Sequence, residues 1–155
     1  MEYNELIEKL AAALGIEGLV PEDGVAALNI DGMRIAFLHD EGADALLLFA
    51  TVGTPPPEAE ERFSAILLQA NHLFRGTGGA TLAQNQETRD YTLVRSLPLA
   101  LLDADSLVAE LESFANTLAR WTGLLADFRP AENAAKGTDA QDAPFDFGNS
   151  AVMQV

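Results

Sequence analysis

Asp31-Gly32 sits between two strand-like runs, Val25 to Ile30 and Met33 to His39, in the stretch VAALNIDGMRIAFLHD. A two-residue connection of this kind needs left-handed backbone at both positions, which Asp and Gly tolerate, and it joins strands that run antiparallel. The chain is thereby committed to a hairpin near its start. A third strand follows over Asp44 to Val52, DALLLFATV, with Leu46, Leu48 and Ala50 on one face and Leu47, Phe49 and Thr51 on the other. Apolar side chains on both faces predict a strand covered on both sides, by this chain or by a partner.

Before and after these strands the apolar period lengthens to that of a helix. Tyr3, Leu6, Ile7, Leu10 and Leu14 form one stripe, and Gly15 is a natural C-terminal cap. Pro21 lies in a loop from Gly18 to Asp23. Thr54-Pro55-Pro56-Pro57 stops the third strand, and Glu58, Glu60 and Glu61 open a second helix, where the macrodipole favours negative charge. Its stripe is Phe63, Ile66, Leu67, Ala70 and Phe74, widened by Leu68 and Leu73, so the helix is expected to run to about Phe74. That stripe is broad for a helix packing against a single sheet. Ala80 to Asn85 and Tyr91 to Ser96 read as two more strands joined by Gln86 to Asp90, with Pro98 ending the second. Asp103 or Asp105 caps a last helix, whose stripe is Leu107, Leu111, Phe114, Leu118, Trp121 or Thr122, and Leu125.

The order is α-β-β-β-α-β-β-α. Short connections between successive strands predict an α+β fold, a twisted and largely antiparallel five-stranded sheet covered by helices. Residues 1–129 form this domain. Residues 130–155 begin as a small, polar, acidic linker, AENAAKGTDAQDA, and end in PFDFGNSAVMQV, where Phe145, Phe147, Val152 and Met153 restore apolar character. Such an ending is either a tethered docking peptide or a disordered terminus.

Charge and composition exclude several roles. Nine Lys and Arg against 24 Asp and Glu give a formal charge of −15, which repels phosphate backbones and anionic lipid; neither nucleic acid nor a membrane is an expected partner. The chain has no cysteine, so disulfides, thiolate metal sites and cysteine nucleophiles are excluded. No apolar run approaches the ~20 residues of a membrane-spanning helix, and the acidic start lacks the basic region of a signal peptide. The expectation is a soluble, cytoplasmic protein.

The densest glycine cluster, FRGTGGAT over 74–81, invites a phosphate-binding reading. It has no lysine, and it leads from a helix into a strand, whereas anion sites place the glycines before a helix N-terminus. The carbonyl end of a helix repels phosphate. Gly76 is expected to cap the helix, with Gly78 and Gly79 easing the turn into the next strand. His39 and His72 stand apart without metal-ligand spacing; His39 beside Asp40 and Glu41 is a solvated strand end before it is a metal cluster. No serine lies in a nucleophile elbow, and Asp103-Ala104-Asp105 is only a fragment of a calcium loop. No catalytic constellation, cofactor site or metal site emerges, and an enzyme is not expected.

The segment RFSAILLQANHLFRGTGGATLAQNQETRDYTLVRSLPL resembles the CesT/Tir-type effector chaperones of bacterial type III secretion. The matching residues are Ala70-Asn71 ending an apolar helix, Gly78-Gly79, Thr81-Leu82 opening a strand, Leu93 to Arg95, and the exit Leu97-Pro98-Leu99. Phe114 to Asn116 resembles an element of the family's final helix. The likeness spans about residues 1 to 126 in the same element order. Gln86 to Asp90 replaces the family's usual Asp-Pro-x-Thr-Gly turn, and the tail lies outside the pattern.

The resemblance implies a homodimer, without catalysis or nucleotide, that holds the N-terminal segment of a secreted effector in extended, export-competent form. The secretion ATPase or export apparatus would be a further partner. Client-contact candidates are Leu6, Leu10, Leu28, Ile35, Phe37, Leu47 and Phe49, with ordinary core packing the competing role at each. Dimer candidates are Ile66, Leu67, Ala70, Leu73 and Phe74; a two-fold interface uses one patch twice, which suits a self-complementary apolar helix. Phe145, Phe147, Val152 and Met153 are candidates to occupy the client groove when no effector is bound. The alternative function is a non-chaperone α+β interaction or regulatory domain.

Overall fold

A computed structural model describes residues 2–128. Helix α1 spans Tyr3–Leu14 and ends where Gly15 turns left-handed, letting the Ile16 N–H reach the Ala11 carbonyl at 2.9 Å. Strands β1 (Val25–Ile30) and β2 (Met33–Asp40) form the hairpin, with φ of 50° at Asp31 and 81° at Gly32 as the tight turn requires. Strand β3 is Ala45–Gly53, α2 is Glu60–Asn71, β4 is Thr81–Gln84, β5 is Tyr91–Pro98 and α3 is Ala104–Asp127. The five strands form one sheet in the order β1-β2-β3-β5-β4, and every neighbouring pair is antiparallel. The architecture is the expected α+β sheet with three helices. Strands β1 and β4 are its edges.

The core lies between one face of the sheet and helices α1 and α3. Leu28, Ile35, Phe37, Leu46, Leu48, Ala50 and Leu93 point inward, and Leu6, Ile7, Leu10, Leu107, Leu111, Phe114 and Leu118 meet them. Each large side chain buried this way is worth ~1.5–3 kcal/mol, enough to fix which face of each strand turns inward. Tyr3 fastens α1 to the sheet: its hydroxyl donates to the Phe37 carbonyl at 2.8 Å and its ring stacks on His39 with centroids 5.0 Å apart. Burial pushes the Tyr3 phenol from its ordinary 10.0 up to about 12. At the start of α3, the Asp103 carboxylate accepts from the Ser106 N–H at 2.8 Å, and Ser106 Oγ accepts from the Asp103 N–H at 2.9 Å. Asp103, not Asp105, is therefore the cap, and Trp121, not Thr122, is buried in the stripe.

The second helix is shorter than the apolar spacing predicts. It ends at Asn71, and Leu73 and Phe74 lie beyond it with left-handed φ of 54° and 56°. The cause is the Asn71 side chain, which donates to the Leu82 carbonyl at 2.8 Å and accepts from the Leu82 N–H at 2.9 Å. It behaves as a short extra strand against β4 and fixes where the helix must stop. Leu73 and Phe74 keep helical spacing in the sequence but are swung outward, 69% and 54% exposed.

Candidate functional site

The glycine loop is a structural tie. Gly76 packs on the last turn of α2 so closely that a Cβ there would lie 2.4 Å from the Ala70 Cβ, and its N–H donates to the Ala70 carbonyl at 2.9 Å. Its own carbonyl accepts from Trp121 Nε1 on α3 at 2.8 Å. Gly79, at φ 90°, leaves room for the guanidinium of Arg95, whose Nη1 donates to the Gly78 carbonyl at 2.7 Å. The same guanidinium sits 2.7 Å from the Glu110 carboxylate. The loop thus joins α2, β5 and α3. With the Gly76, Thr77 and Gly78 N–H groups bonded to backbone carbonyls and the Glu110 carboxylate alongside, the loop is poorly suited to an anion. Among the described residues no group of His, Asp and Glu is arranged to hold a metal ion, and no helix is long and apolar enough to cross a membrane.

Among the described residues, apart from the exposed Ile16, Val20 and Leu101, apolar side chains gather at the surface in two places. The first is the outer face of the sheet. Alternation puts Leu47 and Phe49 of β3 on the side away from the helices, and register sets Leu38 opposite Leu47, and Ala36 and Val94 on either side of Phe49. Leu38, Leu47, Phe49 and Val94 are each half-buried, while their inward neighbours Phe37, Leu46 and Leu48 are fully buried. Val25, across from Leu38 at the edge, is 41% exposed. Only Arg34 and Asp40 bring charge to the ends of β2 on this side. The second surface lies at the end of α2, where Leu68, Leu73 and Phe74 are all exposed, Leu68 by 72%.

The structure divides the predicted client residues. Leu6, Leu10, Leu28, Ile35 and Phe37 lie in the hydrophobic core, almost without accessible surface; Leu47 and Phe49 lie together on the outer face. The predicted dimer residues divide likewise. Leu67 and Ala70 are buried within the chain, Ile66 is half-buried, and Leu73 and Phe74 stand exposed. Leu38, Val94 and Val25 join the outer face although the sequence reading did not single them out. Their place follows from strand register, which pairs residues far apart in the chain. Phe145, Phe147, Val152 and Met153 lie outside the described residues.

The β4–β5 connection forms without proline or glycine. The Asn85 side chain accepts from the Glu87 N–H at 2.9 Å, and Arg89 takes φ 65°. Arg89 and Gln84 then hold Glu60 at the start of α2, and Thr54 is bonded to Asp90. The hairpin is thereby fastened to the second helix.

A model of the Tir chaperone protein (CesT) family matches residues 5–122. No curated protein sequence matches the chain. Among solved structures, the HopA1–SchA chaperone–effector complex contains a chain similar to this one with a TM-score of 0.66 at 20% identity, covering 78% of this chain and 93% of that one. The Yersinia pestis type III secretion chaperone SycH, solved with a stable fragment of YscM2, gives 0.62 at 20%, over 77% and 99%. The heterodimeric ExoU–SpcU complex of the Pseudomonas aeruginosa type III secretion system gives 0.62 at 20%, over 77% and 97%. These likenesses are of fold.

Proposed function

The chain belongs to the Tir chaperone protein (CesT) family, and from that premise we propose that it is a bacterial cytoplasmic chaperone that holds the N-terminal segment of a type III secreted effector in extended form. The observation that carries the client reading is the outer sheet face. Leu38, Leu47, Phe49 and Val94 lie side by side on a chain whose formal charge is −15, in a region almost free of carboxylates. An extended client segment can lay alternate side chains over that row while its backbone pairs with the edge of β1. Holding needs no bond made or broken, which agrees with a site built from hydrocarbon and backbone. The reading includes no catalysis and no nucleotide.

The same proposal makes the protein a homodimer through Leu68, Leu73 and Phe74, with Ile66 at the margin. Three large apolar side chains exposed together on one short stretch match a self-complementary two-fold patch. Delivery to the secretion ATPase or export apparatus would follow client binding.

A tagged full-length chain, expressed in a host with a type III secretion apparatus, tests this. The expected result is co-purification of a secreted protein whose export is lost when the gene is deleted. Leu47→Glu combined with Phe49→Glu should abolish that capture while cooperative unfolding persists. An unchanged set of exported proteins after deletion refutes the chaperone reading.

A further inference from the structure

We propose that Arg34 selects clients by charge, so that the extended segment held on the outer face carries a carboxylate beside Arg34, two residues before an apolar side chain that lies over Ala27 and Ala36. This selection presupposes the client-binding role proposed above and adds to it the sign and order of the client's charges. Arg34 is exposed on the outer face, on the same side of β2 as Ala36 and Leu38, and stands opposite the exposed Asn29 of β1. In a chain with 24 acidic residues against nine basic ones, a cation readily finds a carboxylate. Lys9 is paired with Glu5, Arg89 with Glu60 and Arg95 with Glu110, whereas Arg34 has no ion-pair partner among the described residues.

The free edge of β1 is open over a short stretch. The Gly24 carbonyl accepts from the His39 N–H at 2.9 Å, so Gly24 turns toward β2. Val25 turns the other way, where its N–H donates to the Glu22 carbonyl at 2.9 Å and its carbonyl accepts from the Glu22 N–H at 2.8 Å. Backbone direction alternates along a strand, so Ala27 and Asn29 aim their N–H and C=O groups outward, and Glu22 closes the edge before them. A client strand that pairs there is held to the Ala27–Asn29 end, beside Arg34.

Register then fixes what each client side chain meets. Two residues back from Asn29, Ala27 stands opposite Ala36, and Ala36 stands opposite Phe49. Both alanines are small and half-buried, so a large apolar side chain placed beside Ala27 has room to lie across them toward the Phe49 ring. The client residue two positions away falls ~6.7 Å along the edge, beside Asn29. Two strand spacings, ~10 Å, separate its backbone from that of Arg34, a gap that a glutamate and an arginine side chain close between them. Every pairing in this sheet is antiparallel, and a client that continues the pattern runs from the Asn29 end toward Val25. Its carboxylate therefore precedes its apolar residue. At the Val25 end stand Glu22 and Asp23, both exposed, where a client carboxylate meets like charge.

Short fluorescein-labelled peptides, titrated with the full-length protein, test this. They share two leucines at alternate positions and differ in one charge: glutamate two residues before the leucines, lysine at that place, or glutamate two residues after them. The glutamate-first peptide should bind about fivefold more tightly than the lysine-first peptide, the difference between an exposed ion pair and a repelled one, and high salt should shrink that gap. Arg34→Gln should abolish the preference and Arg34→Glu should reverse it. Each preference is a ratio measured within one protein, so a change in overall stability does not mimic it. Equal affinity for the glutamate-first and lysine-first peptides overturns the inference. So does a preference that survives in Arg34→Glu, a glutamate-last peptide that binds as well as the glutamate-first one, or binding of none of the three. The client-binding role is judged separately, by the export of secreted proteins after deletion of the gene.

Discussion

A Cβ on residue 76 would meet the Cβ and backbone of Ala70 on the last turn of α2, with no flexible side chain to yield. Gly76→Ala should therefore cost about 1–3 kcal/mol of stability through overpacking, seen as a lower urea midpoint with an unchanged slope. Tyr3 gives a pH signature. Its phenol stays neutral up to about 12 when folded, against 10.0 when exposed. The unfolded chain therefore releases that proton first as pH rises. The stabilisation is complete below pH 10 and drains away toward pH 12. Alkaline unfolding followed from pH 9 to 12 should show that decline, and Tyr3→Phe should flatten it while losing about 1 kcal/mol from the bond to Phe37. At this scale the sequence shows which residues share a face but not which face is covered. Leu28, Ile35 and Phe37 alternate just as Leu47 and Phe49 do; only the packing of α1 and α3 on one side separates core from surface.

The strands and α3 were legible as elements because period, cap and turn chemistry are local. The Asp31-Gly32 turn and the Asp103 cap each act over three or four residues. The end of α2 was not, because its cause lies elsewhere in the chain. Asn71 is held by Leu82, eleven residues on, and Gly76 by Trp121, forty-five residues on. An apolar stripe that continues through Leu73 and Phe74 reads as helix until those partners are known. Asn71→Ala leaves the Leu82 amide and carbonyl without their partner, at a cost of about 1–3 kcal/mol. Faster amide hydrogen exchange at Leu82 than elsewhere in the sheet is the accompanying expectation, since β4 is short and at an edge. Uniform exchange across β4 and β5 would show that Asn71 does not hold the strand.

For the whole molecule, element order was enough to place the chain in its fold class, since β3 and β5 become neighbours once α2 and β4 are tucked beyond them. Assembly is a separate matter, settled by surface. Light scattering should give twice the mass of one chain at micromolar concentration, and Leu73→Asp with Phe74→Asp should halve it without unfolding the protein. A single-chain mass for the unaltered protein refutes the dimer. The uncovered side of the sheet, with β1 at its margin, has a further consequence for how the protein behaves as a colloid. An apolar side beside unpaired backbone is a template for stacking and fibre growth. The 24 carboxylates are the repulsive coat that keeps copies apart. Acidifying toward the isoelectric point near 4.2 strips that coat, and turbidity should climb there, then clear when the solution returns to neutral pH.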